Sequence, residues 1–451
     1  MLRPRLDADE TQPFWVELGC VAGLVFLTLT FGWAALRLAF PATSLALALY
    51  TRWQSTERFI RVLLWIWFLT PFIRRLVDFG LGEFDPLSPV MLAPFIASLV
   101  AGLDLIAFGR TLATRRYVPF LLIFLGIAWG YGVGLLRLGF ASSTFKMLEW
   151  LIPPLLAFSI ALREPAADRV WETVRSTLLW AGSLLGLYGV VQFFFLPPWD
   201  AFWMVSAETY DLQDVRPMGF RVFSTINSTH PFGSVMMASA LLAMSARKSR
   251  VVLSGVPAIA GLMLSWTRAA WGGLVVSAVV YWFHSDHATR RQVTRTAALS
   301  FAVLLLVFSQ TALGPRVAER FSTLSSVSED YSFQARVRLY IVQGADAMIQ
   351  PVGRGIGAVG KAAKLSGEAV HLDSTWLSML FEFGWPGTVL YLTGLGMLLA
   401  RTVRRLPFRE GRDSAAFGLV VGFLAMTAFS NMFVAIKGML IWIFLGTLLR
   451  K

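Results

Sequence analysis

Seven side chains in the second half of the sequence have the types and positions to handle a charged substrate. Arg216 and Arg221 stand in RPMGFRVFSTINSTHPFG (216–233), Arg268 in LSWTRAAWGG (264–273), and Arg336 and Arg338 in QARVRLY (334–340). A guanidinium offers paired hydrogen bonds to phosphate oxygens and stays charged at any working pH, so these arginines together point to a polyanion. His371 and Asp373 open HLDSTWLSMLFEFGWPG (371–387), just ahead of a helix that Asp373 or Ser374 would cap. An imidazole near neutrality accepts a proton from a hydroxyl, as a general base does; Asp373 either orients it or takes the proton itself. Each residue also has a plainer reading. A single loop arginine or histidine is ordinarily a solvated charge, and Arg268 between Trp266 and Trp271 has the make-up of an interfacial anchor whose head reaches back to water.

Other residues carry weaker signals. His230 in STHP has a competing claim as a base, but the context reads as a helix start with Thr229 as cap and Pro231 in the first turn. His284 and His287 form an HxxH pair beside three arginines without a third ligand, so no metal site is expected. GRGIGAVG (353–360) has the glycines of a phosphate loop but neither a preceding strand nor a GK[ST]. Asp104, Glu149 and Glu382 lie in apolar runs, where a buried partner is the default expectation and a proton relay the functional one.

The elements that must position these residues follow from composition. Of 451 residues, 56% are apolar and only 15% charged, and the mean hydropathy is +0.63. So few charges cannot coat the two or three domains a soluble chain of this length would form, which excludes a soluble enzyme and intrinsic disorder. Apolar stretches long enough to cross about 30 Å of hydrocarbon recur along the whole chain, and only helices satisfy their amides there. The expectation is an all-α, polytopic transmembrane bundle of about 12–14 helices. Its organisation is N-terminal helices over 1–197, an outer connection at 198–228, central helices over 229–313, a large outer connection at 314–373, and C-terminal helices over 374–451. The weakest spans are 14–50, a hairpin interrupted at Gly32 and Arg37 or one long tilted helix, and 59–73, which is barely long enough.

A net charge of +13 would suggest nucleic acid in a soluble protein. Here 24 of the 40 cations fall in one alternate set of short loops and 15 in the other, with Arg37 inside a span. The positive-inside rule then puts both termini in the cytoplasm and the two long connections outside, with no nucleic-acid partner. The N-terminal apolar run is too long for a signal peptide and is expected to be retained. Cys20, the single cysteine, excludes an internal disulfide and any cysteine-based metal site.

The order of these outer segments resembles the bacterial O-antigen ligase and O-antigen polymerase superfamily. The resemblance rests on RVFSTINSTHPFG, SWTRAAW, R-x-R-x-Y at 336–340, P-x-G-x-G-x-G at 351–357, and the E-x-G-x-x-G that begins at Glu382, and it covers roughly 200–400. It implies an inner-membrane glycosyltransferase, inverting, metal-independent and without a cofactor. The donor would be a glycan on polyprenyl (undecaprenyl) pyrophosphate, and the acceptor a second glycan or a lipid A core. Membrane lipids and polysaccharide-assembly proteins would be its partners, and the active site would face the periplasm. Arg216 or Arg221, with Arg268, Arg336 and Arg338, would bind the pyrophosphate. The sequence departs at one point: the family commonly reads His-Asn where Asp373-Ser374 stands, with His371 two residues early, so His371 and Asp373 both remain candidates for the base. The leading expectation is a polymerase, with the ligase as runner-up. Of another class, a lipid-linked sugar transporter predicts broken helices with key ions near the midplane, whereas these arginines gather at one rim.

Overall fold

The computed structural model describes residues 28–163, 166–208, 212–246, 254–310, 331–360, 372–408 and 410–449, with scattered positions at 19, 20, 23, 24, 26 and 251. The side chains of 299–310, 331–333, 335, 336 and 339 lie outside that description. Among the described residues the chain is all-α, with one isolated antiparallel bridge between Gln213 and Phe220. In chain order the helices are α1 (Trp33–Gln54), α2 (Thr56–Leu81), α3 (Ala93–Leu99), α4 (Gly102–Phe108), α5 (Val118–Leu138), α6 (Phe140–Leu162), α7 (Ala167–Phe195) and α8 (Pro198–Ser206). They continue as α9 (Thr229–Met244), α10 (Val256–Leu264), α11 (Arg268–Phe283), α12 (His287–Gln310), α13 (Tyr331–Ile349), α14 (Thr375–Val403), α15 (Gly411–Ala425) and α16 (Ala435–Leu448).

Six of the described helical stretches are long and apolar enough to cross a membrane: α1, the broken run Pro89–Ala113 that contains α3 and α4, α5, α6, α7 and α14. Helices α11 and α16 are apolar but shorter. The all-α polytopic bundle of about 12–14 helices is thus as expected in class, while several individual spans are shorter or broken among the described residues, for local reasons. The stretch expected at 250–266 holds only the nine residues of α10, about half a bilayer at 1.5 Å per residue, packed on α7 and α9. The stretch expected at 59–73 lies within a 26-residue helix whose last turns bury Arg74, Arg75 and Asp78. Half of the expected span at 14–31 lies outside the described residues. Gly32, at φ 76°, separates the preceding turn from α1, in line with an interruption there.

Small residues bring the bundle together, as close helix packing in lipid requires. A β-carbon on Gly126 of α5 would sit 2.6 Å from the Gly387 carbonyl oxygen of α14, and one on Gly446 of α16 would lie 3.1 Å from the Ala157 Cα of α6. Helix α14 is not continuous: Gly384 has φ 60° and ψ −167°. The kink leaves the Phe381 carbonyl and the Trp385 N–H without helical partners, and residues 351–354 supply them. Arg354 N donates to Phe381 O at 2.7 Å, and Trp385 N donates to Pro351 O at 2.8 Å. The glycines of 353–360 are therefore packing devices. Gly353 and Gly384 pass so closely that a β-carbon on Gly353 would meet the Gly384 nitrogen at 2.4 Å.

Candidate active site

The chemistry-bearing residues gather at the end of the bundle where α9, α11 and α14 begin. Helix α9 starts at Thr229 with Ser228 as its N-cap residue, so Thr229 is the first helical residue and Pro231 lies in the first turn. Helix α11 starts at Arg268, after a turn in which Trp266 has φ 51°. The two starts touch: Thr267 Oγ1 donates to Thr229 O at 3.3 Å, and a β-carbon on Gly233 would lie 3.2 Å from the Ala270 Cβ. Arg221 reaches the same turn, where its Nε donates to Ser265 O at 3.4 Å, and Val222 N donates to Leu264 O at 3.0 Å. Arg221 and Arg268 are each half-buried. Neither helix start has a side-chain cap bond, and a guanidinium at a helix N-terminus sits at the positive end of the dipole, where an anion is favoured and a cation is not. Both arginines therefore suit a site whose occupant is negative.

A buried network holds the Arg221 segment in place. Fully buried Arg75 pairs with Asp200 and donates to Ser224 O at 2.5 Å. Tyr188 Oη and Gln192 Nε2 each donate to Asp200 Oδ2 at 2.7 Å, and Gln192 Oε1 accepts from Ser224 N at 2.9 Å. Ser224 and Asn227 carry φ of 52° and 59°, a left-handed backbone that persists only where surrounding contacts fix it.

The other expected arginines are placed differently. Arg216 is exposed and pairs with Asp214 at 2.9 Å on its own turn. Arg338 is exposed on α13, and the side chain of Arg336 lies outside the described residues. In the same motif Tyr340 points inward: its hydroxyl shares a 2.5 Å hydrogen bond with Ser374 Oγ and donates to Ala428 O at 3.1 Å, tying α13 to the start of α14. Ser374, not Asp373, caps α14, accepting from Leu377 N. Asp373 is exposed beside it, and His371 lies outside the described residues.

Two lysines, not singled out in the sequence, complete this end. Lys437, in the first turn of α16 after Ala435 at φ 51°, donates to Ser430 Oγ at 2.6 Å. The charges of Asp373, Lys146 and Glu149 all bear on it. Buried Lys146 pairs with Glu149 at 2.7 Å and also faces Glu382. Glu382 is fully buried, accepting from Trp150 Nε1 at 2.7 Å and from Gly357 N at 3.2 Å. A run of alternating charges thus descends from the exposed Asp373 into the bundle. Their signal in the sequence is a lone cation in an apolar run, as in FKMLEW and AIKGML.

Residues 253–392 match the family model for O-antigen ligase. The chain thus carries a domain of the O-antigen ligase and polymerase superfamily. No curated protein matches the sequence. The O-antigen ligase domain contains Arg268, the Tyr340 motif, the 351–360 interlock, Asp373, Glu382 and Gly384; Arg216, Arg221, Lys146 and Lys437 lie outside the matched residues. Asp104 pairs with Arg52 and Arg163 at the opposite end of the bundle, which meets the default expectation of a buried partner. His284 Nδ1 contacts Val280 O at 2.8 Å and its ring packs on Phe417. Among the described residues no three His, Cys, Asp or Glu side chains gather around a common point.

Proposed function

We propose that the chain is a membrane glycosyltransferase that polymerises undecaprenyl-pyrophosphate-linked oligosaccharide repeats on the periplasmic face of the bacterial inner membrane. The observation that carries this reading is the meeting of the α9 and α11 starts with Arg221 and Arg268. The acceptor hydroxyl attacks the anomeric carbon from the side opposite the pyrophosphate, so the configuration inverts. As the new C–O bond forms, the bond from that carbon to the phosphate oxygen breaks and the electron pair leaves with the pyrophosphate. Fixed guanidinium groups and helix-start amides stabilise that developing charge without reorganisation and without a metal. The hydroxyl proton passes to His371 or Asp373. Lys437, on which the Asp373 charge bears, steers the leaving group. The polyprenyl chain lies between helices, and its binding energy positions the reacting carbon.

The description of the matched family favours a second reading, transfer of the finished glycan to a lipid A core. The purified protein, given an undecaprenyl-pyrophosphate oligosaccharide alone and then together with a lipid A core acceptor, separates the two. A ladder from donor alone means polymerase, product only with the core means ligase, and no consumption of donor under either condition contradicts both.

A further inference from the structure

The turn that leads from Arg221 into α9 buries a polar atom that takes no part in the proposed transfer. Residues Ser224–Ile226 form a single tight helical turn, closed by Asn227 at φ 59° and ψ 15°. Two helices clamp this turn. Arg75 of α2 donates to Ser224 O at 2.5 Å, and Gln192 Oε1 of α7 accepts from Phe223 N at 3.3 Å and from Ser224 N at 2.9 Å. Ser224 Oγ donates to Leu185 O, also on α7, at 2.7 Å. The Asn227 side chain that follows is different: its Oδ1 is buried and meets no hydrogen-bond donor among the described residues. Asn227 stands two residues before Thr229, whose carbonyl accepts from Thr267 Oγ1 beside Arg268. Its Cα therefore lies within about 7 Å of the Thr229 Cα, where the α9 and α11 starts meet.

Backbone geometry accounts for only part of this choice of residue. Asparagine tolerates the left-handed region, but glycine enters it at no steric cost. What glycine lacks is the amide, and a buried carbonyl oxygen without a donor is destabilising in itself. An unanswered acceptor on a clamped, left-handed turn is the kind of feature that a functional site retains. The chemistry of its complement is narrow. An ionised pyrophosphate presents only acceptor oxygens, so it suits Arg221 and Arg268 and does not answer Asn227 Oδ1. A sugar hydroxyl, or the N–H of an acylamino group on the ring, does donate.

We infer that Asn227 reads the first sugar of the donor, its Oδ1 accepting from a hydroxyl or amide N–H on the ring bonded to the pyrophosphate. The inference rests on the proposed glycan transfer and extends it from the phosphate to the sugar. Asn227 is then a specificity-determining residue, held ready by the clamp on 223–224, so little ordering is left to be done on binding.

The test is binding by the full chain in detergent, measured by native mass spectrometry with undecaprenyl pyrophosphate and with the same lipid carrying one N-acetylhexosamine. The wild type should hold the sugar-bearing lipid more tightly. Asn227→Gly keeps the left-handed backbone and removes the amide, so its melting temperature should be no lower than that of wild type, while its preference for the sugar-bearing lipid should fall about fivefold. Arg268→Ala should weaken both lipids alike, because both carry the pyrophosphate. Equal binding of the two lipids by wild type, or an unchanged preference in Asn227→Gly, would overturn the inference and leave the pyrophosphate reading standing. A melting temperature of Asn227→Gly below that of wild type would overturn it too, by making the amide part of the fold. Binding of neither lipid by wild type, or no effect of Arg268→Ala on either, would remove the reading beneath the inference and the inference with it.

Discussion

At the scale of single residues, the site is a question of where each charge sits between the helix starts and the bundle interior. Asp373 is exposed at the mouth while Lys437, Lys146, Glu149 and Glu382 continue inward from it. If Asp373 is the base, Asp373→Ala should lower transfer by about 10²–10⁴-fold and His371→Ala should be mild; the reverse ranking assigns the proton to His371. Wild-type rates in both variants would remove the base from this segment. Glu382 has a different task. Both its oxygens accept hydrogen bonds, so Glu382→Gln sets an amide N–H against a donor and should cost about 1–3 kcal/mol, read as a lower melting temperature in detergent. Arg268 was legible in the sequence because a guanidinium at the junction of two apolar runs is conspicuous, and Arg221 because it follows Arg216 in the segment just ahead of a span. The two lysines were not, because their meaning lies in Asp373 and Glu149, and the Asp373 partnership spans helices far apart in the chain.

At the scale of elements, two devices set the geometry. The first is the interlock of 351–357 with the α14 kink, where backbone replaces helical hydrogen bonds. Gly384→Ala combines an unfavourable φ of 60° with a β-carbon 2.3 Å from the Val352 carbonyl carbon. It should lower stability by more than the roughly 1 kcal/mol of an ordinary Gly→Ala strain and displace Glu382, so thermal stability and transfer should fall together. A stable, fully active variant would show that the kink is incidental. The second is the Arg75–Asp200 network under the Arg221 segment. Removing one partner of a buried pair typically costs about 3–5 kcal/mol, so Asp200→Ala should unfold at markedly lower denaturant than wild type. The family resemblance implied that E-x-G-x-x-G and the 351–357 glycines belong to one pattern. That they join to each other, and do not cradle a phosphate, depends on a backbone contact between segments about thirty residues apart.

At the scale of the whole molecule, apolar repetition was enough to predict an all-α bundle, while the number of clean spans was not readable. Pro89–Ala113 breaks into short pieces, α10 is a half-length helix between neighbours, and α2 buries charges that hydropathy penalises. Each depends on tertiary partners that a window along the chain does not see. Of the 15 cations in the second loop set, Arg75, Lys146, Arg216 and Arg354 pair with acids, and Arg221 and Arg268 converge on the turn that precedes α11. The account therefore rests on those two arginines holding the pyrophosphate. Its most direct test is the rate of glycan transfer from undecaprenyl-pyrophosphate oligosaccharide by wild type, Arg221→Ala and Arg268→Ala, each shown by circular dichroism and thermal unfolding to be folded in detergent. Loss of one preorganised donor should cost about 10²–10³-fold in either folded variant, with Arg216→Ala close to wild type; near-wild-type transfer by both Arg221→Ala and Arg268→Ala would contradict it.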